Sequence, residues 1–160
     1  MMKISGENMR KREVFLILAV VALDQITKYA IEARLSLGQS IELIKGFFSL
    51  TYARNTGAAW SILTGQMTFF YIVSTIALIV MTYFLWKTDK KETLQRFALA
   101  LLIAGTIGNF IDRLMFQYVR DFLDFIIIGY DFPIFNVADI SLNVAIGLLI
   151  LEAFLEGRGK

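Results

Sequence analysis

Four aspartates in the last third of the 160-residue chain are the side chains best suited to chemistry: Asp121, Asp124, Asp131 and Asp139. Two carboxylates about 3 Å apart cannot both ionise comfortably, so such a pair shares one proton. The ionised member takes a proton from a water, and the protonated member activates a scissile carbonyl and later protonates the departing amine. Spacing alone does not decide which of the three upstream aspartates faces Asp139.

The composition excludes most other catalytic groups. The chain has no histidine and no cysteine, which rules out disulfides, thiol nucleophiles, Cys/His zinc sites and Ser-His-Asp triads. A Ser-Lys mechanism through Lys28 is possible in principle, but no serine is singled out by its surroundings. The net charge is +2, with no basic stripe among aromatic residues, so we expect no nucleic acid partner. We also expect no metal and no cofactor.

Three polar clusters interrupt apolar runs, where charged groups are expensive and mark functional sites. Asp24 and Lys28 are four residues apart, so they share a helix face and can form an ion pair. A purely structural ion pair that closes a helix bundle explains these two residues equally well.

The other polar clusters lie in the motifs GNFIDR and FNVAD. Spacings of three and four residues place Asn109 beside Asp112 and Arg113, whose rigid fork of donors suits a carboxylate or carbonyl. Snorkelling to the interface is the structural alternative, and it suits Asn109 less well. Asn136 fits a helix N-cap, with Asp139 in the first turn, so capping alone is an alternative explanation for both.

The elements that position these residues are membrane-spanning helices. Hydrophobic residues make up 57% of the chain and charged residues 19%, and the mean hydropathy is +0.62. This is too apolar for a small soluble domain and indicates an all-α membrane protein. We expect one domain over residues 1–160, a four-transmembrane-helix bundle. Its spans are predicted at about 14–35, 67–86, 96–115 and 137–154. The first run lacks a small-x-small cleavage site, so we expect it to be retained.

Charge and periodicity predict the arrangement around the bilayer. Basic residues cluster before the first span, between the second and third spans, and at the C-terminus, so both termini are expected in the cytoplasm. The two outer loops are long, about 36–66 and 116–136. Residues 47–53 alternate with a strand period, and residues 118–135 are rich in Val, Phe and Ile, broken by Gly129 and Pro133. We therefore expect a small extracytoplasmic sheet on the membrane surface.

Two rival functions are compatible with intramembrane charges. A proton-coupled carrier or channel should place its polar groups near the bilayer midplane, whereas these gather toward the outer helix ends. An assembly subunit without activity would leave several carboxylates without a purpose, which is costly.

Five motifs in order resemble one known family. They are DQITK (24–28), RNTGAAW (54–60), AGTIGNFIDR (104–113), VRDF (119–122) and FNVAD (135–139). Over about residues 15–151 the chain resembles the bacterial lipoprotein signal peptidases, or signal peptidase II. The resemblance implies a four-helix membrane bundle with an extracytoplasmic β-cradle, in the bacterial cytoplasmic (inner) membrane.

The resemblance also implies an activity and a set of site residues. Such enzymes are aspartyl endopeptidases that remove the signal peptide of prolipoproteins just before a diacylglyceryl-modified cysteine. Asp121 and Asp139 match the catalytic dyad, so Asp124 and Asp131 are expected to be bystanders. We expect a monomer whose partners are these prolipoproteins and membrane lipid. The residues that match substrate-binding or dyad-supporting positions are Asp24, Lys28, Asn55, Gly57, Ala58, Asn109, Arg113 and Asn136.

The chain departs from the family pattern at two positions where glycine is common. Ala104 replaces one of two glycines before the GN motif, and this is a mild change. Gln117 stands in the turn before Asp121. If that turn requires a positive φ, a side chain there is strained.

Overall fold

The computed structural model describes residues 11–57, 63–89 and 91–158. Within these residues it has four helices that are long and apolar enough to cross a membrane. Because lipid offers no hydrogen bonds, helices that satisfy their own backbone are the expected solution for such runs. The helices are α1 Lys11–Glu32, α2 Met67–Lys87, α3 Thr93–Phe116 and α4 Val137–Arg158. Helix α1 begins about three residues earlier than the predicted first span and also ends about three residues earlier.

The helices pack around α3, whose buried residues include three alanines and two glycines. Ala98, Ala100 and Ala104 are almost fully buried, so the alanine that replaces a common glycine at position 104 is accommodated. A Cβ on Gly105 would lie 2.6 Å from the Ala138 carbonyl oxygen. Such close backbone approach is typical of membrane helices, which gain little from burying apolar surface against each other.

Among the described residues, four strands form one antiparallel sheet in the order β1-β2-β3-β4. They are β1 Ser40–Ile44, β2 Phe48–Asn55, β3 Val119–Ile127 and β4 Tyr130–Asp131. The helical bundle with a small sheet confirms the predicted architecture. Strand β1 was not predicted from the sequence; it lies at the sheet edge, and all five of its residues are exposed.

Gln117 ends α3 in the left-handed conformation, with φ +63°. Its N–H donates to the Arg113 carbonyl at 3.0 Å and closes the last turn. The strained turn predicted at this position is therefore present. It turns the chain so that β3 begins two residues later, at Val119.

A buried ion pair joins the helices at the end of the bundle opposite the sheet. Arg96 Nε donates to Glu13 Oε1 at 3.0 Å, and Arg96 Nη1 donates to the carbonyls of Leu85 and Thr88 at 3.0 and 2.6 Å. These contacts connect α1, α2 and α3. Arg96, at the start of the predicted third span, is buried inside the bundle.

Candidate active site

Asp121 lies on β3 with its carboxylate over the helix ends. Asn55 Nδ2, from the neighbouring strand, donates to Asp121 Oδ2 at 3.1 Å. Asn136 Nδ2, just before α4, donates to Asp121 Oδ1 at 2.6 Å. Burial, and next the nearby charge of Asp139, raise the pKa of Asp121 to about 7, although both amide donors oppose the shift. Asp121 therefore holds a proton into the neutral range.

Asp139 lies in the first turn of α4. Asn109 Nδ2 donates to Asp139 Oδ1 at 2.7 Å, and the Asn136 N–H donates to Asp139 Oδ2 at 3.2 Å. In return the Asp139 N–H donates to Asn136 Oδ1 at 3.0 Å. This reciprocal pair is a capping box. The predicted N-cap at Asn136 is confirmed. Capping is not the only role of this residue, because its side chain also donates to Asp121.

The Asn136 side chain connects the two carboxylates. Its Nδ2 donates to Asp121 and also to Asn109 Oδ1, at 3.1 Å, and Asn109 in turn donates to Asp139. Among the aspartates considered upstream, Asp121 is therefore the one that shares this network with Asp139. Asn109 contacts residues of other elements rather than the neighbouring charges that its spacing suggested.

The remaining two upstream aspartates lie elsewhere. Asp124 Oδ2 accepts a hydrogen bond from Thr51 Oγ1 at 2.5 Å on the sheet. Asp131 is exposed on β4. Neither residue lines the cavity into which Asp121 and Asp139 open.

That cavity has a volume of about 570 Å³ and two unlike walls. One wall is polar and consists of Asn55, Gly57, Asn109, Arg113, Asp121 and Asp139. The other is apolar and runs from the loop before α4 along that helix, through Phe132, Pro133, Ile134, Ile140, Val144 and Ile146. The arrangement suits a substrate with one reactive polar group and a long apolar part.

Arg113 borders the polar wall from α3. Its Nη2 donates to the Gly57 carbonyl at 3.2 Å, and its guanidinium lies 4.5 Å from the Phe70 ring centroid. Arg113 Nε is buried and has no hydrogen-bond partner among the described residues. Arg113 Nε is therefore still able to donate a hydrogen bond to a bound group. Ala58, predicted beside Gly57, lies outside the described residues.

Beneath the cavity lies a buried charge network centred on Lys28. Lys28 Nζ is 2.8 Å from Asp24 Oδ2 and 3.4 Å from Asp112 Oδ2. It also donates to Asn109 Oδ1 at 3.0 Å. The predicted pairing of Asp24 with Lys28 is confirmed. The network places Lys28 one side chain away from the Asp139 carboxylate, through Asn109.

The similarity to known proteins is extensive. Residues 16–155 match the sequence profile of a family described as Signal peptidase (SPase) II. Lipoprotein signal peptidases of Staphylococcus aureus strains JH9 and Newman are 46% identical over 141 residues, covering 88% of this chain and 86% of each relative. The chain belongs to the signal peptidase II family.

Solved structures agree with this assignment. A bacterial membrane enzyme solved by the in meso method at 2.3 Å resolution matches with a TM-score of 0.91 and 42% identity, over 97% of this chain and 94% of that chain. A second one, at 1.9 Å, matches with a TM-score of 0.84 and 43% identity, over 92% and 96%. The chain is thus a membrane protease with lipoprotein signal peptidase function.

In this signal peptidase II, sequence reasoning overlooked Arg120, which precedes Asp121. Its guanidinium donates to Asp112 Oδ1 at 2.8 Å and to Glu32 Oε2 at 3.0 Å. Burial alone would lower the pKa of Arg120, but the bonds and charge of Asp112 outweigh it and raise the pKa. The sequence feature that could have identified Arg120 is strand alternation. Because neighbouring residues of a strand point to opposite faces, Arg120 points toward the bundle when Asp121 points toward the cavity.

Gln25 and Gly108 were also overlooked. Gln25 Nε2 lies 3.1 Å from Asp24 Oδ2, Asp112 Oδ1 and the Gly108 carbonyl. A Cβ on Gly108 would lie 2.6 Å from Asp24 Oδ2. Both positions owe their importance to contacts between α1 and α3.

Proposed function

We propose that this signal peptidase II uses Asp121 and Asp139 as an aspartyl dyad that cuts prolipoproteins just before a diacylglyceryl-modified cysteine. One observation carries the proposal. Two carboxylates from different elements, the buried Asp121 and the half-buried Asp139, open into one cavity and are joined through Asn136, whose side chain donates to Asp121 and whose backbone N–H donates to Asp139. Burial and the nearby charge of Asp139 raise the pKa of Asp121 to about 7, so Asp121 can hold a proton while Asp139 remains ionised.

The pair supports a general acid–base hydrolysis. Ionised Asp139 removes a proton from a water, whose oxygen attacks the scissile carbonyl carbon. Asp121 donates its proton to the carbonyl oxygen and gives a tetrahedral gem-diol. The proton taken by Asp139 then passes to the amide nitrogen as the C–N bond breaks, and Asp121 recovers a proton from the gem-diol. The products are the signal peptide carboxylate and a free cysteine amine.

The supporting residues orient the substrate or the dyad. Asn55 and Asn136 hold Asp121, and Asn109 holds Asp139. Arg113, with an unpartnered Nε among the described residues, is placed to bind a substrate carbonyl beside Gly57. Asp24 and Lys28 fix the helix ends that carry these groups.

The apolar wall suits the lipid part of the substrate. Each acyl CH₂ that it buries contributes about 0.8 kcal/mol, so lipidation should dominate recognition. An unlipidated precursor is expected to be cleaved poorly at the same enzyme concentration. Equal cleavage of matched precursors with and without the diacylglyceryl group would contradict this role of the wall.

Charge distribution supports an orientation with both chain ends in the cytoplasm. The basic residues Lys11, Arg12, Lys87 and Lys91 lie at the helix ends away from the sheet. The cavity then opens at the outer face of the cytoplasmic membrane. The resemblance to this family implies a monomer, which we keep as part of the proposal.

Three substitutions test the dyad on one lipidated precursor. Asp121→Asn and Asp139→Asn are each expected to reduce cleavage by about 10³-fold or more while the protein still folds in the membrane. Asp124→Asn is the matched control on the same strand and should retain activity. Mass spectrometry of the product should show the lipidated cysteine at its N-terminus. Substantial cleavage by either dyad variant, together with an inactive Asp124→Asn variant, would show that Asp121 and Asp139 are not the catalytic pair.

A further inference from the structure

Two hairpin turns lie side by side at the end of the sheet away from Val119. Phe48 pairs with Phe125, and the Ile126 N–H donates to the Phe47 carbonyl at 2.9 Å. The turn from β1 to β2 therefore adjoins the turn from β3 to β4. Exposed apolar side chains cover both turns, and we call this surface the sheet tip: Ile44, Phe47, Ile126, Ile127, Ile128 and Tyr130.

Ile128 is the extreme case. Its side chain is fully exposed, and its φ is +52°, beside Gly129 at +76°. A β-branched residue in the left-handed region is a backbone outlier, where glycine or asparagine is usual. If the Ile128 side chain were surrounded by water, it would contribute nothing to the stability of the fold. An outlier of this kind calls for a role outside the folded chain itself.

The sheet lies alongside the end of α4 rather than standing away from it. Leu123, midway along β3, pairs with Phe135, and the Phe125 and Phe135 rings stack with centroids 5.7 Å apart. Phe135 directly precedes Asn136, the N-cap of α4. The middle of β3 is therefore held at the level where a spanning helix begins.

An apolar surface continues from this point in both directions. Phe132 and Ile134 line the cavity together with Ile140 and Val144, which are exposed on α4. Residues 125–130 include no charged residue. The first turn itself contains Lys45, and the Glu42 carboxylate accepts a hydrogen bond from the Gly46 N–H there at 2.8 Å, so the charges at the two turns are Glu42, Lys45 and Asp131. The sheet tip is thus joined to exposed apolar residues of α4, a helix long and apolar enough to cross a membrane.

We propose that the sheet tip inserts into the lipid leaflet beside the cavity mouth, the outer leaflet in the orientation given above. A contiguous apolar surface made by two hairpins is rare on a water-facing monomer and marks an interaction site. Unpaired turn backbone is excluded from the hydrocarbon centre, so insertion stops at the boundary of headgroups and acyl chains. Lys45 and Asp131 then meet the headgroups.

Insertion would keep the cavity mouth at lipid level. Phe132 connects β4 to the cavity wall, so a sheet tip held in lipid fixes the height of that wall. The inference does not depend on which aspartates are catalytic, and it survives if the dyad assignment fails.

The natural absence of cysteine allows a direct test. Single-cysteine variants Ile128→Cys and Ile44→Cys sample the two hairpins, and Ser36→Cys, in the exposed loop after α1, is the control. Each is placed singly in nanodiscs of phosphatidylcholine and phosphatidylglycerol and treated with a charged maleimide. Both tip positions should react about tenfold more slowly than position 36, because the headgroup boundary shields them.

A second readout locates the shielding. A polarity-sensitive fluorophore attached to the thiol of Ile128→Cys or Ile44→Cys should be quenched by nitroxides on lipid chains and little by iodide, with the reverse at position 36. Iodide quenching at both tip positions equal to that at position 36 would overturn the proposal. Shielding found only with two copies per disc would also overturn it, in favour of a contact between chains. Cleavage of lipidated precursor confirms that each variant is folded.

Discussion

Asp24 Oδ1, in the middle of the chain's first helix, accepts a hydrogen bond from the backbone N–H of Ala138 at 2.9 Å. Ala138 directly precedes Asp139. A matching contact occurs on the other side, where Asp112 Oδ2 accepts the backbone N–H of Arg120 at 2.9 Å, the residue before Asp121. Two buried carboxylates thus each hold the peptide next to one member of the proposed dyad, and Lys28 pairs with both.

Loss of the Asp24 carboxylate should damage both the fold and the dyad. Asp24→Ala leaves the Ala138 N–H without its acceptor and Lys28 with one counter-ion fewer. Breaking a buried ion pair from one side typically destabilises by about 3–5 kcal/mol. We expect a lower unfolding temperature in detergent and a large loss of cleavage. Asp131→Asn, on the exposed strand β4, is the control. An unchanged unfolding temperature for Asp24→Ala would show that the network is not supporting the helices.

Gly108 should be intolerant of a single methyl group. A Cβ there would lie 2.6 Å from Asp24 Oδ2, so Gly108→Ala must displace a carboxylate that is fixed by Lys28. Overpacking of this kind costs about 1–3 kcal/mol. Gly147→Ala, on α4, is the matched control because a Cβ there meets nothing within 4 Å. We expect reduced stability and cleavage for Gly108→Ala only, as measured by thermal unfolding and by precursor cleavage. Equal behaviour of the two variants would contradict the close approach.

The sequence could predict features that depend on local pattern. Long apolar runs locate the helices, alternation locates β2, and the four-residue spacing predicts the Asp24–Lys28 pair. Each of these depends on chain geometry within a few residues, so no tertiary information is required.

Contacts between distant elements could not be predicted from pattern. Arg120 lies between Val119 and Asp121 in a strand, and its partners Glu32 and Asp112 come from α1 and α3. Asn109 shares a helix face with Asp112, yet bonds to Lys28, Asn136 and Asp139. The partner of Asp139 likewise depends on how β3 crosses the helix ends.

Replacement of Gln117 by glycine should stabilise the protein. Gln117 has φ +63°, and a left-handed residue with a Cβ costs roughly 1 kcal/mol relative to glycine at a helix C-terminus. We expect Gln117→Gly to raise the unfolding temperature and leave cleavage unchanged. Gln95→Gly, within α3, should do the opposite to stability, because glycine in a helix interior is unfavourable. A lower unfolding temperature for Gln117→Gly would mean that the glutamine side chain contributes a contact that outweighs the strain.

Cleavage should decline as the pH rises through about 7. Burial and the charge of Asp139 raise the pKa of Asp121 to about 7, so above this pH the pair loses the shared proton that activates the carbonyl. Asn55 lowers the pKa of Asp121 through its hydrogen bond. Asn55→Ala should therefore move the alkaline limb of the pH–rate profile to higher pH. Thr51→Val, which removes a hydrogen bond to Asp124 instead, should leave the limb in place. A shift to lower pH in Asn55→Ala would be incompatible with Asp121 as the proton donor.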